Sequence, residues 1–418
     1  MKRIVYVVLA IVFLAACGGK KKSKKLVFKY NQTSGISSLD PAYAKDQANI
    51  WAVNQMFNGL VQINSKLEIE PCIAKSWTIS DDGLTYTFDL RDDVFFHDHE
   101  VFKGGKGRKV VAQDFVYSFE RMMDPAKPGS WLFAGRVMED NPFMAIGDNT
   151  LEIKLKSAFR PFLGILSMQY CSVVPKEVVE KYGKDFRTHP IGTGPFKFKQ
   201  WDEGVVLIML KNENYFEKVG AQQLPYLDGI KVTFAQNKRT EFLEFLEGKI
   251  DFISGIDASY KDELIDKNGN LLEANIGKII MNKSPYLNTE YLGFLVDTDN
   301  PLLKDNPIAV TNIRKAINYG FDRDKMIRFL RNDVGSPANA GFIPKGLPAY
   351  NADKVKGYHY NPEKSTALLK EAGFPNGEGL PEIVLYTNPS YIDFCTYIQS
   401  QLSEIGIKIK IETIPWVI

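Results

Sequence analysis

Of the four histidines in the chain, His97 and His99 stand two residues apart in "FHDHE". That spacing puts both imidazoles on one face if the segment is extended, with Glu100 beside them. Imidazole and carboxylate together ligate divalent cations, and metal-assisted hydrolysis is the chemistry such a group performs. Two ligands are fewer than a centre needs. The pair is a candidate for half a metal site, with surface or structural histidines as the alternative, and no cofactor is expected.

Other chemical signatures break down at particular positions. "GTGPFK" at 192–197 has two glycines of a dinucleotide loop, but Lys197 stands where the third belongs and a strand pattern follows where a helix is required. "GGKGRKV" at 104–110 lacks the spacing of a phosphate loop and the Ser/Thr after its Gly-Lys. No G-x-S-x-G is present to form a nucleophile elbow. "DTDNPLLKD" opens like a calcium loop, yet Leu302 occupies the position that must turn sharply. The expectation is a protein that is not an enzyme.

The N-terminus carries chemistry of another kind. Lys2 and Arg3 precede an apolar run from Ile4 to Leu14, then Ala15, Ala16 and Cys17. This is the order of a secretory signal peptide over residues 1–16, and its apolar run is too short to span a bilayer. Seven of the 52 basic residues fall within residues 1–25, which hold no acid, so residues 26–418 carry 45 basic against 50 acidic residues. A basic tether at 17–25 on a mildly acidic body suits an anionic membrane surface. The balanced charge of the body gives no nucleic-acid-binding face. Cys72, Cys171 and Cys395 remain, and three cysteines cannot all pair with one another.

The elements that must position any site are legible as patterns. Ala48, Trp51, Ala52, Gln55 and Met56 mark a helix after the Asp40-Pro41 turn, with Gly59 suited to its end. Trp77 and Ile79, a turn at Asp82-Gly83, then Tyr86, Phe88 and Leu90 form a hairpin with one buried face. Ala112, Phe115, Val116, Phe119 and Met122 make a helical stripe, and "NTLEIKL" is strand-like. "HPIGTGPFKFKQWDEGVVLIML" reads as a turn followed by paired strands, and "KRTEFLEFLEGKIDFI" as a helix leading into a strand. Two helices meet at Gly320, with Asp322 capping the second. Asn361, Pro362 and Gly373 punctuate another as N-cap, first residue and C-terminal stop. "EIVLY", a helix carrying Cys395, Ile398, Leu402 and Ile405, and "IKIKIETI" form a strand–helix–strand unit, hence a parallel pair and an α/β domain.

Taken in order, "SLDPAYAKDQANI…MFNGLV", "PCIAKSWTISDDGLTYTFDLRDDVFFHD", "VVAQDFVYSFERMMDP", "IGTGPFKFKQW…LKNENYF", "IRKAINYGFDRDKMI", "YNPEKSTALLKEAGF" and "IQSQLSEIGIKIKIETIPW" resemble the oligopeptide/dipeptide-binding proteins of ABC importers (solute-binding family 5). The resemblance covers nearly all of residues 35–416. The tetrad Leu14-Ala15-Ala16-Cys17 likewise resembles a bacterial lipobox, which implies diacylglycerol on Cys17. Two departures stand out: residues 98–110 are an insertion, and family members continue past the point where this chain stops.

The resemblance implies a periplasmic-binding-protein-like, two-lobed hinge fold with an extra inserted domain and part of its C-terminal portion missing. Domain I would comprise 26–68 and 188–288, domain II 69–187 and an incomplete domain III 289–418. It implies a monomer in the periplasm or cell envelope, held to the membrane by the lipid, that closes on peptides and hands them to an ABC permease. A non-peptide solute such as a metal complex or sugar is the alternative on the same fold. A metal-dependent hydrolase and a sensory or adhesive lipoprotein are the rivals from other classes. By motif, Lys45 and Gln47 on the domain I side and Asn288, Tyr291 and Gly293 on the domain III side are the expected ligand contacts. Solvated lysine and strand-packing tyrosine are the bland readings of Lys45 and Tyr291. Asp40-Pro41 and Gly192-Thr193-Gly194 are assigned to turn geometry.

Overall fold

The computed structural model describes residues 25–284, 286–297, 299–301 and 306–414. The leader, Cys17 and the lysines up to Lys24 lie outside the described residues. No helix among the described residues is long and apolar enough to cross a membrane.

Two four-stranded sheets build the first three-fifths of the chain. In one, Val27–Asn31 runs parallel to Gly229–Thr233, which pairs antiparallel with Val206–Lys211, itself antiparallel to Phe196–Asp202. In the other, Ala74–Ile79, Thr85–Leu90, Thr150–Lys154 and Phe143–Ala145 form, in that spatial order, an antiparallel sheet. The helix Ala112–Met122 buries the expected stripe of Ala112, Phe115, Val116, Phe119 and Met122. One apolar core, from Tyr30 to Phe234, runs through both sheets. A second core belongs to the C-terminal lobe. There Ile383–Thr387 and Ile409–Thr413 pair in parallel across the helix Ile392–Ser403, and the helices Thr311–Tyr319 and Pro362–Glu371 pack beside them. A small third core gathers Phe242, Tyr260, Leu264 and Ile265.

Capping side chains set the helix starts. Asp322 accepts from Lys325 N at 3.0 Å, and Asn361 from Lys364 N at 2.8 Å. Gly373, at φ 90°, follows the last turn of Pro362–Glu371. Cys395, Ile398 and Leu402 are buried as their spacing predicts, and Cys72, Cys171 and Cys395 are free thiols.

Four expectations need correction. The helix Gln47–Met56 ends because Phe57 turns extended (φ −130°, ψ 156°), not at Gly59, which instead packs close to the Leu166 carbonyl. The strand expected after Lys238–Leu246 shrinks to one bridge, Tyr30 to Phe252, because the parallel edge it would extend is met only at that point. In the hairpin, Tyr86, Phe88 and Leu90 are buried but Ile79 is exposed, since its strand lies at the sheet edge. Gly192 and Gly194, assigned to turn geometry, are instead required by the space at the end of the helix Gln47–Met56. A Cβ on Gly192 would lie 2.1 Å from the Met56 carbonyl oxygen, and one on Gly194 2.4 Å from the Met56 carbonyl carbon. Their need is close backbone approach.

Candidate functional site

Parallel strands deliver their following loops to one end, and ligands of open α/β sheets bind outside those carboxyl ends. Here Val27–Asn31 leads into residues 32–37, Gly229–Thr233 into the helix Lys238–Leu246, and Ile383–Thr387 into residues 388–394. All three line a cleft of 590 Å³ between the N-terminal part and the C-terminal lobe. Asn31 fixes the first of these turns, accepting from Ala235 N at 2.7 Å and donating to Ala235 O at 2.9 Å.

Of the five residues expected to contact ligand, Lys45, Gln47 and Asn288 line the cleft, while Tyr291 and Gly293 are not among its lining residues. Lys45 and Gln47 are exposed at the mouth, positioned by the helix that Asp46 caps through Asn49 N at 3.0 Å. Lys45 has no ion pair among the described residues. Asn288 donates to the Tyr286 hydroxyl at 3.3 Å. Tyr291 is 71% exposed, its ring 5.5 Å from that of Phe342, and Gly293 lies against Tyr291.

The cleft also brings in residues that the sequence pattern did not single out. Arg331 pairs with Asp393 at 2.5 Å and lies 4.0 Å over the Phe394 ring. The Tyr391 hydroxyl is pushed up to about 12, chiefly by burial and then by the Glu290 carboxylate against it. Trp51 lines the opposite wall, edge-on to Tyr30 at 6.0 Å. Glu241, 1% exposed, takes Lys238 Nζ at 2.9 Å. Applying the carboxyl-end rule to the predicted parallel pair would have pointed to 388–394; residues 238–241, which follow a strand whose parallel pairing the sequence does not show, and Arg331, at the end of a helix, carry no such signal. Beside the cleft Asn332, left-handed at φ 47°, joins the two parts, donating to Asp262 Oδ1 at 3.1 Å and to the Ile265 carbonyl at 3.5 Å.

His97 and His99 do not converge on a metal. His97 is buried, and its Nε2 donates to the Gly194 carbonyl at 2.9 Å, leaving Nδ1 unprotonated and without a partner. His99 instead meets the Tyr182 hydroxyl at 3.1 Å. No three His, Cys, Asp or Glu side chains among the described residues are grouped to hold a metal. Residues 98–110 are fastened to the surrounding lobe by Arg108, which bonds both Asp114 and Glu177, while Asp98 closes the segment on itself by accepting from Gly107 N at 2.9 Å.

Burial holds the His97 imidazole down at about 4, helped by nearby Lys197 and opposed by the Gly194 bond and Asp98. An unfolded histidine takes up its proton near 6.5, so between about pH 6.5 and 4 the unfolded chain binds more protons and stability falls as pH falls. His97→Gln keeps a donor for Gly194 and removes the titration. It is expected to flatten this part of the pH–stability curve by roughly 3 kcal/mol at most, read as denaturation midpoints of both proteins from pH 7 to 4. Parallel curves would rule this out.

A cavity walled by two separately cored lobes is the architecture of a protein that encloses a ligand. The family described as bacterial extracellular solute-binding proteins, family 5 (middle), matches residues 68–417, and the chain belongs to it. The glutathione-binding protein GsiB of Shigella flexneri is 28% identical over 378 residues, spanning 90% of this chain and 68% of that protein. Heme-binding protein A of Haemophilus influenzae is 28% identical over 417 residues, spanning 95% and 72%. The periplasmic binding protein DppA of Helicobacter pylori, solved with the peptide STSA, is 28% identical with TM-score 0.77, over 95% of this chain and 75% of that one. The two-lobed α/β fold of periplasmic binding proteins is thus established. The chain is the non-catalytic, extracytoplasmic solute-binding component of an ABC importer, working in the periplasm or cell envelope with a cognate permease.

Proposed function

We propose that this protein captures short peptides by closing its lobes over them and delivers them to its permease while tethered by lipid on Cys17. The observation that carries the reading is the composition of the cleft: both signs of charge (Lys45, Arg331, Glu241, Glu290), aromatic faces (Trp51, Tyr391) and an irregular backbone at 32–37, drawn from both lobes. A zwitterionic chain of amides suits such walls, because its ends need opposite charges and its backbone needs donors and acceptors. Solute that touches both lobes favours the closed form by its differential affinity. Lys45, Gln47 and Asn288 are the proposed contacts. Tyr291 and Gly293, which are not among the residues lining the cavity, are not included in the proposed contacts. Residues 69–187 are proposed as the inserted lobe. The resemblance to a DppA solved with a peptide and to a glutathione-binding protein supports the reading.

A non-peptide solute is the second reading, favoured by the heme-binding relative and by the aromatic wall. Native mass spectrometry of the protein extracted from its own envelope tests both halves. A ladder of small masses matching peptides is expected, on a chain that begins at acylated Cys17. One discrete non-peptide mass moves the assignment to the second reading, and an unacylated N-terminus removes the anchor.

A further inference from the structure

The carboxylates around the cleft are not equivalent. Asp46 commits both oxygens to Asn49, through its backbone N–H and its side-chain amide. Asp257 is half-buried and accepts from Ser259 N at 2.9 Å, and Glu290 lies against the Tyr391 hydroxyl. Glu241 is 1% exposed, yet among the described residues its only side-chain bond is the one Oε2 accepts from Lys238 Nζ at 2.9 Å. Its other oxygen has no partner among the described residues.

An ionised carboxylate offers about four acceptor positions, and a buried one is tolerated when they are met. Its neighbours Phe242 and Tyr260 bring it no further donor. Phe242 is apolar and stacks on Tyr260 at 4.4 Å, and the Tyr260 hydroxyl donates to the Gly255 carbonyl at 3.3 Å. Glu241 and Lys238 both line the cleft, so the unmet acceptor lies where solute enters. On this wall the carboxylates of Asp46, Glu241 and Asp257 outnumber the ammonium groups of Lys45 and Lys238, so the local charge balance favours a cation. A charged donor also makes the stronger bond to a carboxylate.

We infer that Glu241 receives a positively charged nitrogen of the solute, a terminal or a side-chain ammonium, and makes the N-terminal wall of the cleft selective for cationic ends. The inference rests on the peptide reading above. Lys238, three residues earlier on the same helix, keeps the carboxylate neutralised until the ligand's own cation shares it.

The test is competitive native mass spectrometry on the ligand-stripped full chain with two equimolar probe pairs. Tri-alanine against N-acetyl-tri-alanine reads a terminal ammonium. N-acetylated Ala-Lys-Ala against N-acetylated Ala-norleucine-Ala reads a side-chain one. At least one pair is expected to separate by about tenfold or more in favour of the charged member, and the pair that separates names the source. Glu241→Gln is expected to shrink that separation to below about twofold while the neutral member still binds. Lys238→Gln frees Oε2 and is expected to widen the separation, which decides the matter even if the first variant does not fold. Equal binding within both pairs, an unchanged separation in Glu241→Gln, or no widening in Lys238→Gln overturns the inference. Absence of every complex with the native chain overturns the peptide reading first and this with it, an outcome distinct from lost discrimination.

Discussion

Asp40→Ala is expected to cost about 3–5 kcal/mol of folding stability, the range for breaking a buried ion pair by removing one partner. The Asp40 side chain is 4% exposed and that of Arg121 13%. Arg121 Nη1 donates to Asp40 Oδ1 at 2.9 Å and Nη2 bonds Oδ2, while Oδ1 also accepts from Ala42 N at 3.0 Å. The pair ties the segment after Leu39 to the helix Ala112–Met122, and the Arg121 guanidinium lies over the Phe186 ring at 5.7 Å. Alanine would remove the counter-charge and the turn's cap together, leaving a desolvated guanidinium with no carboxylate. The loss should reach function too, because Lys45 and Gln47 hang from this turn at the cleft mouth. Arg121→Met with Asp40→Asn, an uncharged pair of similar bulk, should be less damaging than the sum of the single changes. Denaturation midpoints for Asp40→Ala, the two single changes and the double variant check this. A loss below about 1 kcal/mol for Asp40→Ala would place the pair with ordinary surface bridges.

Asp40 was legible in the sequence as a turn residue, and it is one, but its second role was not. The partner lies 81 positions away in another sheet's helix, and local pattern carries no record of such a contact. The same division runs through the chain. Periodicity and capping chemistry located the helices beginning after Asp322 and Asn361 and the hairpin at Asp82-Gly83, because those signals act within a few residues. The order of motifs located the family. For the cleft, motif position was enough to bring Lys45, Gln47 and Asn288 to its lining, while the continuation to Tyr291 and Gly293 ran beyond it. Glu241 was invisible for a physical reason. Its helix reads "KRTEFLEFL", where charges recur on every side, and spacing alone cannot tell a solvated glutamate from one that is 1% exposed. His97 and His99 failed in the opposite direction. Alternation put them on one face, but the segment follows an irregular path that sends one ring to Gly194 and the other to Tyr182.

The second large effect lies at a glycine whose φ is unremarkable. Gly194→Ala is expected to cost about 3 kcal/mol, the upper part of the range for overpacking a filled site. A Cβ there would lie 2.4 Å from the Met56 carbonyl carbon, 2.7 Å from the Gln55 carbonyl oxygen and 2.7 Å from the Phe57 nitrogen. All three are main-chain atoms, so no rotamer change can relieve the clash. The backbone that would have to move is the end of Gln47–Met56, the helix whose start presents Lys45 and Gln47 to the cleft. Gly194 also receives the Nε2 proton of His97 at 2.9 Å and the Asn212 side chain at 3.0 Å, so displacement would break two buried bonds at once. Gly204 supplies the contrast. It sits at φ 72°, where a side chain is strained, but nothing lies within 4 Å of its Cβ position, and Gly204→Ala should cost only about 1–2 kcal/mol. Parallel denaturation of the two variants separates crowding from backbone strain. A larger loss for Gly204→Ala would mean that the loop at 192–194 can retreat from the helix end, and that the junction is looser than its contacts require.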